Sequence, residues 1–170
     1  MVSLKVAVIA TPVAPLTVVT DPDGVVVVSG FTSPEDQLGR LGSPAAELVD
    51  DLGPASRAVA AYLDGDVNAL HDVPVRQAGG PFLQEVWRLM RDIPAGTTWS
   101  YGELAAKAGN PRAVRAVGGA CARNMVAPFV PCHRVVRSDG SLGGYYYGLD
   151  AKRWILAHER GEDVMARSGG

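Results

Sequence analysis

One segment without any periodic pattern divides the sequence into two unlike parts. Residues 71–81, HDVPVRQAGGP, contain two prolines and two glycines and show neither helical nor strand periodicity, as is typical of a connection. Residues 71–80 are therefore predicted to link an N-terminal α/β support domain, residues 1–80, to a C-terminal domain, residues 81–170. A chain of 170 residues is long enough to form two small domains, each with a core.

The N-terminal part combines strand patterns with later helical ones. Three short runs rich in β-branched residues lie between Pro and Gly turn signals and predict a small antiparallel sheet; they are 4–9, 16–20 and 25–31. Ser43-Pro44 and Gly53-Pro54 each place a proline where the first turn of a helix tolerates it. We therefore expect two helices after the sheet.

The C-terminal part is predicted to be mainly helical. Phe82, Val86, Leu89 and Met90 share one helical face. The sequence SYGE at 100–103 has the S-x-x-E pattern of a capping box, and Asn110-Pro111 supplies an N-cap and a first-turn proline for the next helix. A short helix, a turn and a second helix form the outline of a helix-turn-helix. The fold class expected for the whole chain is α+β.

Charge is distributed unevenly along the chain. Residues 1–80 carry 4 basic and 10 acidic side chains, whereas residues 81–170 carry 12 basic and 8 acidic ones. Between Glu103 and Asp139 there is no acidic residue; the basic ones there are Lys107, Arg112, Arg115, Arg123, Arg134 and Arg137. Such a window attracts a polyanion, although a solvated basic face without a partner has the same composition.

Two glycines interrupt the basic helix of this window. Gly118 and Gly119 each cost a helix interior about 1 kcal/mol relative to alanine, and close approach of another backbone is the usual gain. One interpretation is tight packing against a neighbouring helix. The one we favour is contact with a nucleic-acid backbone or groove, with arginines supplying charge.

Cysteine is used only twice, at Cys121 and Cys132. Two cysteines cannot form a disulfide framework, so reduced thiols and a cytoplasmic location are expected. Cys132 is followed by His133 and Arg134, which would favour a thiolate, although a buried structural thiol is the commoner fate. Because an extended segment would point Cys132 and His133 to opposite faces, contact between them requires a turn or a bridging water. Glu159 is a candidate to orient the imidazole.

Several motifs in order make residues 82–159 resemble the C-terminal domain of the O6-alkylguanine-DNA alkyltransferases. They are PCHRV at 131–135, SYGELA at 100–105, RAVGGA at 115–120, Asn124, Gly144-Tyr145 and LAHE at 156–159. The N-terminal part is similar more loosely, around TPVAPL and VVVVSGF. The resemblance implies single-turnover repair, in which an alkyl group moves from O6 of guanine in double-stranded DNA to Cys132. An adduct at O4 of thymine is a second candidate substrate.

The resemblance also assigns roles to individual residues. In the reaction, His133 takes the thiol proton through a water, Glu159 orients His133, Tyr101 serves the departing guanine, and Asn124 ties the recognition helix to the cysteine segment. The flipped nucleotide leaves a gap that Arg115 fills. The other residues implied at the minor groove are Arg112, Ala113, Ala116, Gly118, Gly119 and Arg123, and those implied at the substrate pocket are Val135, Tyr145, Tyr146 and Tyr147.

The sequence also departs from the family. Some members bind zinc through N-terminal cysteines, but no cysteine precedes Cys121, so neither a metal nor a cofactor is expected. Tyr147 is predicted to narrow the pocket and so to favour methyl over benzyl adducts. Cys121 is expected to be a small packing residue. The protein is expected to be a monomer in solution. Two alternatives are a sensor that binds alkylated DNA without transfer and a Cys-His-Glu thiol hydrolase.

Overall fold

A computed structural model describes residues 3–162 of the protein. Residues 1–2 and 163–170, the ends of the two predicted domains, lie outside the described residues. The chain divides into two compact units. The first contains the residues up to Ala78 together with Met125–Phe129, and the second contains Gly79–Asn124 and the residues from Val130 onward. The α+β class is confirmed.

A four-stranded sheet organises the first unit, in the order β3-β2-β1-β4. Its strands are β1 (Leu4–Ile9), β2 (Leu16–Thr20), β3 (Val26–Gly30) and β4 (Ala46–Leu48). The antiparallel pairs β1–β2 and β2–β3 confirm the three predicted strands. Every residue of β2 and β3 is buried, which explains why these strands are nearly continuous runs of apolar and β-branched residues rather than alternating ones.

The helices of the first unit differ in part from the expectation. The helix predicted at Gly53-Pro54 is present as α2 (Pro54–Leu63). The prediction of a helix at Ser43-Pro44 is wrong. Ser43 has a φ of 59°, and the residues after it form β4, which pairs in parallel with β1. Strand pairing with the open edge of β1 therefore overrides the local signal.

Sequence reasoning missed one short helix of this unit, α1 (Pro34–Gly39). The Ser33 hydroxyl caps it by accepting a hydrogen bond from the Asp36 amide at 3.1 Å. The serine followed by proline at the first helical position was the available signal.

Part of the predicted linker is built into the first unit. Val75 forms a parallel bridge with Val26, and the Arg76 guanidinium lies 2.9 Å from the buried carboxylate of Asp21. The carbonyl of Pro74 accepts a hydrogen bond from the Val26 amide at 2.9 Å. This segment has no periodicity because it extends along β3 with irregular pairing, so it does not serve as an open connection.

Four α-helices, one turn of 3-10 helix and two short strands make up the described part of the second unit. The helices are α3 (Pro81–Met90), α4 (Tyr101–Lys107), α5 (Val114–Arg123) and α6 (Leu149–Glu159). The strands β5 (Trp99–Ser100) and β6 (Val135–Val136) pair in parallel. The Trp87 indole of α3 donates a hydrogen bond to the carbonyl of Ala120 in α5 at 2.9 Å, which fixes these two helices together.

The starts of α4 and α5 show how well the capping signals work. Ser100 caps α4 as expected, accepting a hydrogen bond from the Glu103 amide at 3.0 Å. The predicted start of α5 at Asn110-Pro111 is wrong, because α5 begins at Val114. Asn110 caps a separate turn instead, accepting a hydrogen bond from the Arg112 amide at 3.2 Å.

Among the helices of residues 3–162, none is both long and apolar enough to span a membrane.

Candidate active site

A cavity of about 310 Å³ in the second unit contains the side chain of Cys132 in its wall. Its lining comes from α4, α5, the 132–134 turn and the loop before α6; the residues are Tyr101, Gly118, Cys121, Ala122, Cys132, Gly144, Tyr145 and Tyr146. The structure therefore brings five of the predicted site residues together around one space.

Cys132 begins a turn of 3-10 helix that includes His133 and Arg134. Of the two conformations weighed for this segment, the structure has the turn at Cys132–Arg134, and only Val135–Val136 form a strand. The turn forms because the Arg134 amide donates to the Pro131 carbonyl at 2.9 Å. Consecutive side chains of such a turn do not alternate between opposite faces as they would in a strand. Cys132 is only 7% exposed.

His133, the second residue of this turn, forms a buried pair with Glu159 of α6. His133 Nε2 lies 2.9 Å from Glu159 Oε2, and both side chains are fully buried. Burial alone would raise the pKa of Glu159, but the hydrogen bonds from His133 and Arg134 and the charge of Arg134 hold that pKa well below its usual range. Glu159 is therefore a carboxylate that accepts hydrogen bonds.

The state of His133 follows from this partner. Burial lowers the pKa of His133 more than the nearby Glu159 carboxylate raises it, so the imidazole is neutral at neutral pH. Because a carboxylate can only accept, Nε2 carries the proton and donates it to Glu159. Nδ1 is then the basic atom, and within residues 3–162 it has no hydrogen-bond partner. The ring is oriented to accept a proton at Nδ1.

Arg134 has a structural role that sequence reasoning missed. Its Nε and Nη2 donate to the two oxygens of Glu159 at 2.8 and 2.9 Å, and Nη1 donates to the carbonyl of Ile93 at 2.7 Å. This arginine is 8% exposed and is neutralised by Glu159. It therefore does not belong to the basic surface predicted from the acid-free window.

Asn124 ends α5 and connects it to the segment before Cys132. Its Nδ2 donates a buried hydrogen bond to the carbonyl of Val130 at 2.8 Å, and the same carbonyl accepts from the Cys132 amide at 2.9 Å. One oxygen thus fixes both the end of the helix and the start of the cysteine turn.

Tyr101 is the first residue of α4 and lines the cavity with Cys132. Burial, followed by negative charge at Cys121 or Cys132, raises the pKa of its phenol, so the hydroxyl stays protonated and can donate. Gly143 lies close to this group, since a Cβ at Gly143 would be 2.8 Å from the hydroxyl. Gly143 also has a φ of 70°, which favours glycine.

The residues predicted to contact DNA lie on α5 and the turn before it. Arg112, Arg115, Ala116 and Arg123 are exposed and Ala113 is partly exposed. A Cβ at Gly118 or Gly119 would meet no atom within 4 Å. Packing against a neighbouring helix therefore does not explain these glycines; they leave open space at a basic surface.

Two predicted pocket residues do not appear in the described lining of the cavity. Val135 is buried, and its carbonyl accepts a hydrogen bond from Lys152 at 2.8 Å, although a carbonyl oxygen can accept a second one. The Tyr147 ring packs edge to face on Tyr146, with centroids 4.8 Å apart. Tyr145 and Tyr146 line the space directly, whereas Tyr147 contacts the rings of these two residues.

Cys121 lines the same cavity as Cys132, which the sequence did not indicate. Neither cysteine is in a disulfide. Burial, and to a smaller extent a charge at Cys132, raises the pKa of Cys121 far above its usual range, so this thiol stays protonated. In the part of the chain that the structure describes, no three His, Cys, Asp or Glu side chains cluster as metal ligands would.

The chain is similar to known proteins over most of its length. Residues 81–161 match the family model of the 6-O-methylguanine DNA methyltransferase DNA-binding domain. The chain is 37% identical to a methylated-DNA–protein-cysteine methyltransferase of Salmonella typhimurium, over 89% of this chain and 92% of that one. A Methanosarcina acetivorans protein of the same name is also 37% identical, over 90% and 96%. A crystal structure of Mycobacterium tuberculosis OGT in complex with DNA is 31% identical, with a TM-score of 0.79, and the similarity covers 92% of this chain and 93% of that one.

Proposed function

The chain belongs to the methylated-DNA–protein-cysteine methyltransferase family, and from this premise we propose that Cys132 is the residue that accepts the alkyl group. The protein is a DNA-repair methyltransferase that moves a methyl group from O6 of guanine in DNA to cysteine. The observation that carries the assignment is that Cys132 lines one cavity with Tyr101 and Gly118, while Glu159 holds the adjacent His133.

The reaction begins with loss of the thiol proton. Nδ1 of His133 takes the proton through a bridging water, and the Nε2 bond to Glu159 stabilises the resulting imidazolium. The Cys132 thiolate then attacks the methyl carbon, forming a C–S bond as the C–O6 bond breaks. The electron pair of the broken bond passes to the guanine, and the Tyr101 hydroxyl donates a proton at N3 so that a neutral base leaves.

The product is a thioether on Cys132 and a repaired guanine. The proton held by His133 returns to the Tyr101 phenolate through solvent, so charges balance. The C–S bond of a thioether has no good leaving group, and burial raises the pKa of the other cysteine, Cys121, so that it stays a thiol. Each molecule therefore acts once.

The cavity suits a single extruded nucleobase. Its volume, about 310 Å³, lies at the small end of the range for ligand pockets, roughly 300–1,000 Å³. A base inside a duplex cannot reach a buried thiol, so the nucleotide must be flipped out at a cost of a few kcal/mol. We propose that α4 and α5 act as a helix-turn-helix whose glycines approach the minor groove, while Arg115 fills the vacated position.

Binding to DNA through α5 should be insensitive to sequence and sensitive to salt. Arg112, Arg115 and Arg123 are exposed, and phosphate contacts made by such side chains are weakened by salt. Arg115→Ala should weaken binding to an undamaged duplex, whereas Arg153→Ala, on α6, should not. We further propose that the protein acts as a monomer in the cytoplasm, where its cysteines, neither in a disulfide, stay reduced.

One experiment tests the transfer. The protein is mixed with a duplex that contains one O6-methylguanine, and the peptides that carry Cys121 and Cys132 are weighed. We expect one methyl group per protein on Cys132, no transfer in Cys132→Ser, and full transfer in Cys121→Ser. Tight binding with unchanged mass would support a sensor, and turnover of an ester or amide would support a hydrolase; either result would overturn the proposal.

A further inference from the structure

Lys152 is a fully buried lysine on α6 to which the proposed mechanism gives no role. Its ammonium donates to the carbonyls of Val135 at 2.8 Å, Gly144 at 3.1 Å and Leu142. All three N–H groups of the ammonium are therefore used. The charge is therefore solvated by backbone carbonyls.

The three carbonyls belong to two chain segments that also supply lining residues to the cavity or adjoin them. Val135 directly follows the turn that carries Cys132. Leu142 and Gly144 lie in the loop of residues 142–148, which we call the tyrosine loop and which supplies Tyr145 and Tyr146 to the cavity wall. Lys152 thus connects the residue after the cysteine turn to the loop that lines the cavity.

Within the described residues, no carboxylate lies within ion-pair distance of Lys152. The buried carboxylate on the same helix, Glu159, is occupied by His133 and Arg134. Lys152 and Glu159 are seven residues apart, so they share one face of α6. That face presents a carboxylate to His133 and an ammonium to Val135. A buried charge without an opposite charge is costly, which raises the question of which anion completes the pair.

The cavity lining indicates the anion, because Gly144, whose carbonyl accepts a hydrogen bond from Lys152, lines the cavity together with Cys121 and Cys132. Burial lowers the pKa of the ammonium, and negative charge at Cys132, followed by Cys121, raises it, while Arg137 lowers it slightly. Cys121 remains a thiol because its own pKa is strongly raised. Cys132 is therefore the thiol of this lining to which the negative charge is assigned.

The other charged and titratable groups around Cys132 do not replace Lys152. His133 is neutral and Arg134 is paired with Glu159. Tyr101 stays protonated because burial raises its pKa.

We propose that the ammonium of Lys152 is the counter-ion of the Cys132 thiolate and that its bonds to the tyrosine loop couple this charge to the wall of the cavity. The proposal deepens the assigned function, because it rests on Cys132 as the nucleophile. When the thiol ionises, its proton leaves to solvent through His133, and Lys152 keeps its own protons. When the sulfur becomes a neutral thioether, Lys152 loses its counter-ion while its carbonyl bonds remain.

The test measures the rate of Cys132 alkylation by iodoacetamide against pH, in a Cys121→Ser background so that one thiol reports. Lys152→Met removes the charge and keeps much of the volume, Lys152→Arg keeps the charge, and Arg153→Met changes the adjacent exposed residue. We expect the midpoint of the pH profile to rise by about one unit or more in Lys152→Met, as on loss of a nearby opposite charge. It should stay lower in Lys152→Arg than in Lys152→Met, and should not move in Arg153→Met. Equal midpoints in Lys152→Met and Arg153→Met would overturn the proposal.

A second measurement leaves Lys152 in place and so does not depend on the folding of its variants. The chain has three lysines, Lys5, Lys107 and Lys152, and the first two are exposed. With the lysine ε-carbons labelled, NMR follows the ammonium of Lys152 in the unmodified protein and in Cys132→Ser. Because the coupling is reciprocal, we expect Lys152 to lose its proton at lower pH in Cys132→Ser. Identical titrations would overturn the proposal.

These measurements use no DNA, so their outcome is separate from that of the methyl-transfer experiment. Methyl transfer to Cys132 with no shift in either pH profile would remove only the counter-ion role. A shifted profile without methyl transfer would instead remove the repair function.

Discussion

The buried pair of Arg134 and Glu159 offers a direct test of what holds the cysteine turn in place. Arg134 makes two charged hydrogen bonds to Glu159 and a third to the carbonyl of Ile93. Arg134→Met keeps most of the side-chain volume but leaves Glu159 with His133 as its remaining partner. Removing one member of a buried ion pair costs about 3–5 kcal/mol, since the other charge stays buried without compensation. We expect a loss of that size in the free energy of unfolding.

The loss should depend on pH in a defined direction. The pKa of Glu159 is lowered in the folded protein, so its stabilising contribution is fully present above the unfolded value of about 4.3. That contribution disappears as the pH falls below about 4 toward the folded pKa. The difference between the wild type and Arg134→Met should therefore be largest near neutral pH and should shrink in acid.

Urea unfolding monitored by circular dichroism measures both effects. Arg153→Met is the matched control, because Arg153 also pairs with an acidic residue, Asp150 at 2.8 Å, but both side chains are exposed; such pairs contribute about 0–1 kcal/mol. A double variant, Arg134→Met with Glu159→Leu, should recover part of the loss because no buried charge is left unpaired. If Arg134→Met is no less stable than Arg153→Met, the ion pair does not hold this turn.

Three further predictions concern the cavity and its walls. Gly118→Ala should raise the free energy of unfolding by up to about 1 kcal/mol, because its Cβ enters open space in a helix. Gly143→Ala should lower the free energy of unfolding by about 1–3 kcal/mol, because Gly143 has a positive φ and lies close to the Tyr101 hydroxyl. Urea titrations in which both variants change stability in the same direction would contradict this. The S-methylated protein should melt at a lower temperature than the unmodified one, since a thioether cannot supply the charge that Lys152 faces, and equal calorimetric melting temperatures would refute it. Transfer from O6-benzylguanine should be slower than from O6-methylguanine, with Tyr146→Gly reducing the gap, because Tyr146 lines the cavity; comparable single-turnover rates in the wild type would remove the basis for this preference.

Local sequence signals were reliable where the chain's own neighbours decide the structure. The three β-branched runs became β1, β2 and β3, and Ser100 capped α4 with its own hydroxyl. They failed where a distant segment competes. Ser43-Pro44 resembles a helix start, but the open edge of β1 captures the residues after it as β4.

The sequence by itself determined the chemistry available to this protein: one cysteine next to a histidine and an arginine, a tyrosine at the start of a capped helix, and a glycine-bearing basic helix. These are properties of residue type and spacing, so they are visible without coordinates. Tertiary structure alone decided which charges meet. Arg134 reads as part of a basic surface and is instead bound to Glu159, and Lys152 reads as an ordinary helix residue and is instead buried on three carbonyls. Burial and the pairing of residues 10 or more positions apart set the electrostatics of the site, and no local pattern encodes them.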